Sequence, residues 1–310
     1  MKRNSIKVFA PATVGNIGCG FDIMGLAVNE PGDEVHLTKN DSGKLIIKKI
    51  TGDDGRLSSN AKKNTVSVSI HAFLKEHGIK QGFDIVLNKK MPLGSGLGSS
   101  AASAVAGVYA ANILLGNHFK KADLLPFAME GERIACGSAH ADNVAPCLLG
   151  GIVLIRSNKP LDIISLPVPA QLYVTVIHPH VEVLTKDARA VLKKKIPLKD
   201  GVQQWANAAA FVAGLYQEDY QLIGRAVEDL VAEPYRAHLI PNFYKVKKAA
   251  LDNGALACSI SGSGPSVFAL SKGKARCSQI AKAMSKAFAS AGIKSDIFIS
   301  SINNSGVKVL

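Results

Sequence analysis

One stretch constrains this chain more than any other: Pro92-Leu93-Gly94-Ser95-Gly96-Leu97-Gly98-Ser99-Ser100-Ala101-Ala102-Ser103. Glycines at alternating positions strip the Cβ atoms from one face of a short turn, so backbone N–H groups can converge on an anion. The residues that follow, through Leu115, are small or apolar and mostly good helix formers, and Ser99 or Ser100 suits the N-cap. A glycine turn that feeds a helix N-terminus brings free amides and the positive end of the helix dipole together. That combination predicts a phosphate site. Two familiar glycine loops are excluded. A Walker A loop requires Gly-Lys-Ser/Thr, and no lysine follows these glycines. A dinucleotide fingerprint requires glycine where Ser99 stands and an acidic residue about 20 positions on, and neither is present.

The rest of the composition narrows the class. With 310 residues, 47% hydrophobic and 20% charged, the chain can bury a substantial core in one large or two modest domains. Apolar segments are broken by Gly, Pro or charge well short of a membrane span, and the basic start at Met1 to Ser5 has no apolar signal core behind it. Five scattered cysteines without a Cys-x-x-Cys pair point to a reducing cytoplasm and away from a structural zinc. A net charge of +13 favours anionic partners. Aromatic residues amount to only 6%, too few for the stacking platforms of a typical nucleic-acid binder.

Read in order, Ile6 to Ala10 is a short strand closed by Pro11. Residues 12–28 form a glycine-broken but apolar loop that presents Asn16 and Asp22 to a site. Val35 to Ile50 gives one or two strands, Thr65 to His77 a helix, and Phe83 to Leu87 a strand entering the glycine turn. A helix from Asp123 to Cys136 carries Glu130 and Glu132. The segment Gly137 to Pro146 reads as a loop aiming His140, Asp142 and Asn143. Glu132 is the better carboxylate for Mg²⁺, which is commonly held by one or two carboxylates plus phosphate oxygens. Prolines 160, 167 and 169 mark a boundary, beyond which helices and strands alternate irregularly around Ser261-Gly262-Ser263-Gly264-Pro265. Helices are expected at 185–192, 203–218, 222–232, 242–253 and 275–291, and a last strand at 296–302. The pattern is α+β with two domains.

Three of these segments, Pro11 to Asp22, Pro92 to Ser103 and Ser261 to Pro265, resemble in order and spacing the three motifs of the GHMP small-molecule kinases. The resemblance spans essentially the whole chain. Within that family, the strings at 12–22, 140–146, 185–189 and 233–236 are similar to the branch acting on L-homoserine. The resemblance implies an N-terminal nucleotide-binding domain (1–165), a ferredoxin-like C-terminal domain (166–310), a homodimer, and ATP-dependent phosphorylation of L-homoserine in threonine biosynthesis. It also implies that residues Pro92 to Ala102 hold the ATP phosphates, that Ser100 and Glu132 hold Mg²⁺, and that Asn64 lies at the adenine. Arg189 and Arg236 suit the substrate carboxylate, because guanidinium forks pair with planar carboxylates, and Asp22 suits the ammonium. Asn16, His140 and Asn143 suit the hydroxyl end. Asp142 is a base by chemistry alone, whereas the homoserine branch implies transfer without a dedicated base. Two alternatives stay open: a kinase of the same family for another small alcohol such as mevalonate or a sugar, and an RNA-binding module.

Overall fold

The computed structural model describes residues 3–136 and 141–310. In chain order, strands β1 (Ser5–Gly15), β2 (Met24–Asn40) and β3 (Leu45–Thr51) precede helix α1 (Thr65–Glu76). Strand β4 (Gly82–Asn88) leads through the glycine turn into α2 (Ser99–Leu114), followed by α3 (Leu125–Cys136), α4 (Ala141–Leu149), β5 (Ile152–Asn158) and β6 (Leu161–Leu166). The second half holds β7 (Leu172–Pro179), α5 (Thr185–Ala190), α6 (Leu198–Gln217), α7 (Tyr220–Ala226), α8 (Glu233–Arg236) and α9 (Phe243–Asp252). It ends with β8 (Ala257–Ile260), β9 (Val267–Lys272), α10 (Cys277–Ala289), β10 (Ser295–Ser301) and β11 (Lys308–Val309).

Among the described residues the strands form two sheets. One has the order β11-β1-β2-β4-β3, with β5 pairing the start of β2 and β6 pairing β5; the other has the order β10-β7-β9-β8. All pairings are antiparallel except β3 with β4. This is the α+β architecture that the irregular alternation predicts. The last strand, β11, returns to pair with β1 at the edge of the first sheet.

Alternation along β7 explains how the halves share a core. Val174 and Val176 face the core beneath the first sheet, whereas Ile177 faces a second cluster under α9 and α10. The small residues of α2 lie buried against β1, β2 and neighbouring helices, which is why this helix is apolar all round.

Three local expectations are corrected. The first strand does not stop at Pro11: β1 runs on to Gly15, because Pro11 falls at a register shift in the ladder with β2, where a missing N–H is tolerated. Asp142 and Asn143 lie in the first turn of a helix rather than in a loop. Pro146 inside α4 removes the bond to the Asp142 carbonyl, and Gly25 packs on that oxygen, 1.8 Å from where a Cβ would stand. The helix expected at 222–232 ends at Ala226, since Asp229 turns the chain by accepting from the amides of Val231, Ala232 and Glu233.

Candidate active site

The three glycine-bearing segments meet. Gly94, Gly96 and Gly98 all adopt left-handed φ of 66°, 76° and 72°. A Cβ on Gly96 would lie 2.4 Å from the Ser261 carbonyl oxygen, and one on Gly98 would lie 2.2 Å from Thr13 Oγ1. The glycines therefore serve two needs, a backbone twist that side chains disfavour and close packing between the first and third segments. Hydrogen bonds stitch the junction: Thr13 N donates to Leu97 O (3.0 Å), Ser266 N to Ser95 O (3.1 Å), Ser261 Oγ to Gly96 O (2.8 Å) and Gly262 N to Gly15 O (3.1 Å).

Neither serine caps α2 in the expected way. Gly98, in the left-handed region, is the N-cap. Ser99 Oγ instead donates to Asp33 (3.2 Å), and Ser100 Oγ donates to Glu132 Oε1 (3.0 Å). The amides of Ser99, Ser100 and Ala101 precede the first bond of the helical ladder, which Ala102 N makes to Gly98 O at 2.9 Å. The donors facing an anion are thus the turn and the first three helical positions, and the Ala102 amide is already used. Ala101 and Ala102 themselves are core residues.

Beneath the turn lies a network that the sequence reading missed. Buried Lys89 pairs with buried Asp33 and also donates to Ser99 O (2.7 Å) and Ser103 Oγ (2.8 Å). Asp33 in turn accepts from the amides of Lys90 (2.9 Å) and Met91 (3.2 Å). Removing one partner of such a buried pair costs about 3–5 kcal/mol. The pair fixes the start of α2. Lys89 stands three residues before Pro92, and only that nearness could have flagged it.

A cavity of about 650 Å³ opens on this junction. It is lined by Gly94 to Gly96 and Gly98 to Ser100, and by Asn16, Asp22, Asn64, Glu132, Asp142, Asn143, Arg189 and Arg236 among others. Pro92, Leu97, Ala101 and Ala102 stand behind that wall. His140 lies outside the described residues. Asn64 is the N-cap of α1: its Oδ1 accepts from Val66 N (3.2 Å) and its Nδ2 donates to Ser58 O (2.9 Å). Both ends of its amide are therefore held by the chain.

At the far end, Arg189 grips Asp22 through two bonds of 3.1 and 2.9 Å. Arg236, only 3% exposed, donates to Ala188 O (2.9 Å) and Gly262 O (3.0 Å), and its guanidinium lies 5.2 Å from the Phe21 ring centroid. Asn16 Nδ2 also donates to Gly262 O (2.8 Å), and its Oδ1 accepts from Asp22 N (3.0 Å). Between the two ends, Thr13 donates to Asn143 Oδ1 (2.7 Å), and Asn143 Nδ2 lies 3.2 Å from Asp142 Oδ2. Burial, and then the negative charges of Asp22 and Glu132, push the Asp142 carboxyl up to about 7, with Arg189 opposing.

Ser100 and Glu132 supply a hydroxyl and a carboxylate oxygen side by side, a donor set that suits Mg²⁺. Among the described residues there is no group of three or more His, Cys, Asp or Glu side chains that could hold a metal unaided. The pair therefore fits a cation whose remaining ligands come from phosphate and water.

Residues 64–151 match the family model of the GHMP kinases N terminal domain, and residues 211–290 that of the GHMP kinases C terminal domain. This chain belongs to the GHMP kinase family. Among its curated GHMP kinase relatives, the homoserine kinase of Chloroherpeton thalassium is 53% identical, covering 97% of this chain and 98% of its own. That of Chlorobium phaeobacteroides is 52% identical over 99% of both. The crystal structure of homoserine kinase from Cytophaga hutchinsonii superposes with a TM-score of 0.98 at 61% identity, covering 100% of this chain and 98% of that one. As a GHMP kinase the chain is an ATP-dependent kinase.

Proposed function

We propose that this GHMP kinase transfers the γ-phosphoryl group of ATP to the side-chain hydroxyl of L-homoserine, giving O-phospho-L-homoserine on the route to threonine. One observation carries the reading. The cavity that holds the glycine turn and the Ser100–Glu132 pair also holds, at its other end, two arginines and an aspartate, complementary to an amino acid's carboxylate and ammonium.

The turn amides from Gly94 to Ala101 grip the triphosphate. Ser100 Oγ and the Glu132 carboxylate would hold Mg²⁺, which would supply positive charge beside the transferring group. Arg236 is presented rigidly, since Ala188 O, Gly262 O and Phe21 fix its plane, and Arg189 joins it at the carboxylate. Asp22 takes the ammonium. Asn143, anchored by Thr13, and Asn16, anchored on Gly262, orient the hydroxyl toward the γ-phosphorus. The hydroxyl oxygen bonds to that phosphorus as the bond to the bridging oxygen breaks and ADP leaves. The hydroxyl proton passes to the phosphoryl group itself. Positioning and electrostatics carry the step, and Asp142 shapes the field without serving as an obligatory base.

A cytoplasmic homodimer completes the proposal. The described cysteines that are free, Cys19, Cys147, Cys258 and Cys277, are all buried, and α6 exposes Leu198, Val202, Trp205 and Tyr216 along its length. No helix among the described residues is long and apolar enough to cross a membrane.

ADP release, followed with L-homoserine, D-homoserine and mevalonate at equal concentration with and without Mg²⁺, tests the assignment. Turnover is expected with L-homoserine and Mg²⁺. A preference for mevalonate would reject it.

A further inference from the structure

Over the first glycine of the turn lies an ion pair that belongs to neither end of the cavity. Arg56, on the connection between β3 and α1, binds Glu182, on the loop after β7. Both side chains line the cavity, and both are close to half exposed, at 49% and 44%. Glu182 Oε1 stands 3.2 Å from where a Gly94 Cβ would be. The pair thus bridges the two halves of the molecule across the mouth, above the turn assigned to the phosphates.

Three physical facts bear on what it does. An exposed ion pair contributes little to folding, so the pair is easily broken and its geometry is poorly explained as a brace. A carboxylate over a polyphosphate site repels the ligand unless a cation masks it. Of the other cations lining the cavity, Lys89 is buried and already engaged with Asp33, Ser99 and Ser103, Arg189 pairs with Asp22, and Lys63 and Lys186 are exposed; Arg56 is set apart by its partner Glu182, which packs on Gly94. Arg56 is long, lies at the surface and is held only by a partner that a triphosphate can outcompete.

We propose that Arg56 is a polyphosphate-binding residue that exchanges Glu182 for the terminal phosphates when nucleotide enters, and that Glu182 is the resting partner whose charge limits how tightly nucleotide and product are held. This rests on the kinase reading of the cavity but assigns residues that the reading does not use. The pair acts as a swap, with the arginine counting one anion at a time.

The test is calorimetric titration of purified protein with the Mg²⁺ complexes of a non-hydrolysable ATP analogue and of ADP, and with adenosine, without amino acid. Arg56→Ala is expected to weaken the triphosphate analogue roughly tenfold, with Arg56→Lys recovering part of it, because a charge-assisted contact to phosphate is lost. Adenosine affinity stays unchanged. Glu182→Gln is expected to tighten the analogue and ADP by about threefold and to lower kcat while lowering KM for ATP, as product leaves more slowly. A structural brace behaves otherwise: both variants would then weaken all three ligands together. Equal triphosphate affinity in wild type and Arg56→Ala, or weaker binding in Glu182→Gln, overturns the swap while leaving the kinase reading intact. Wild-type protein that binds none of the nucleotides overturns both.

Discussion

At the glycine-turn end of the cavity the lining groups come mostly from the backbone of one stretch, Gly94 to Gly96 and Gly98 to Ser100. At the other end they are side chains gathered from positions 16, 22, 142, 143, 189 and 236. The first end is specified by what is missing, the Cβ atoms whose places are filled by Ser261 and Thr13. The second is specified by long side chains that must be held in place, as Arg236 is by Ala188 O, Gly262 O and Phe21. A backbone-built end tolerates few substitutions and, in the proposed function, reads only the charge and shape common to nucleoside triphosphates. A side-chain-built end can be retuned residue by residue, and the proposal puts the choice of acceptor there. Gly262 joins the two, since its amide bonds Gly15 O and its carbonyl accepts from both Asn16 and Arg236.

The largest effect belongs where the ends meet. Glu132→Gln removes the carboxylate of the Ser100–Glu132 pair and is expected to lower kcat roughly a thousandfold, several kcal/mol of charge stabilisation. Asp142→Asn, ten residues on, is expected to cost about tenfold or less, whereas loss of a true general base costs about a hundredfold or more. The Asp142 carboxyl, held near 7, also sets a pH signature. If its carboxylate were the obligatory base, kcat would climb as pH rises through about 7 in the wild type and that rise would vanish in Asp142→Asn. Coincident pH profiles are expected. The reverse ranking of the two variants would sink transfer without a base.

A crossed pair of substitutions tests whether the ends are separate. Arg236→Lys loses the fork and is expected to raise KM for L-homoserine on the order of thirtyfold with KM for ATP unchanged. Gly96→Ala forces a Cβ to 2.4 Å from Ser261 O at a φ of +76°. It is expected to raise KM for ATP about tenfold and to destabilise the fold by about 1–3 kcal/mol. Because the displaced loop includes Gly262, KM for L-homoserine should rise as well, by a smaller factor. If it rises by the larger factor, the junction and not the turn governs the site.

The same contrast explains what could be read from the sequence. The turn is contiguous, so its glycines, its serines and the small residues of α2 were visible together, as were the α+β class and most helices. What escaped lies in relations between distant residues. Nothing local distinguishes Asp33 from any other strand carboxylate, yet with Lys89 it anchors Ser99 and displaces that serine from capping. Pro11 looked like a strand end because the register shift that accommodates it depends on β2. Asp142 and Asn143 looked like loop residues because Pro146 argues against a helix, and only Gly25 packing on the Asp142 carbonyl removes the objection. Asp22 stood out with Asn16 on an apolar, glycine-broken loop, Arg189 and Arg236 gained their roles with the family resemblance, and the mutual geometry of the three was beyond any spacing rule. Arg56 and Glu182 lie 126 positions apart and carried no signal at all.

The smallest predicted effect concerns the floor of the junction. His178 on β7 is buried, and its Nδ1 lies 3.2 Å from Ser266 Oγ, while Ser266 N holds Ser95 O. Burial pushes the imidazole below its ordinary value of 6.5; Asp296 opposes the shift and His180 adds to it. The unfolded chain therefore takes up a proton near pH 6.5 while the folded one still resists. The contribution of neutral His178 is complete above that pH and is lost as pH falls below it. Melting temperature is expected to drop between pH 7 and 5.5, and His178→Gln, which keeps a polar partner for Ser266 without titrating, should shrink that drop by about 2 °C. The exposed His180–Asp296 pair, 3.1 Å apart, faces solvent and is left intact as an internal control. If the melting curves of the two proteins shift in parallel with pH, the strap from β7 through Ser266 to the glycine turn is held by packing alone, and the turn's geometry owes nothing to the protonation of its floor.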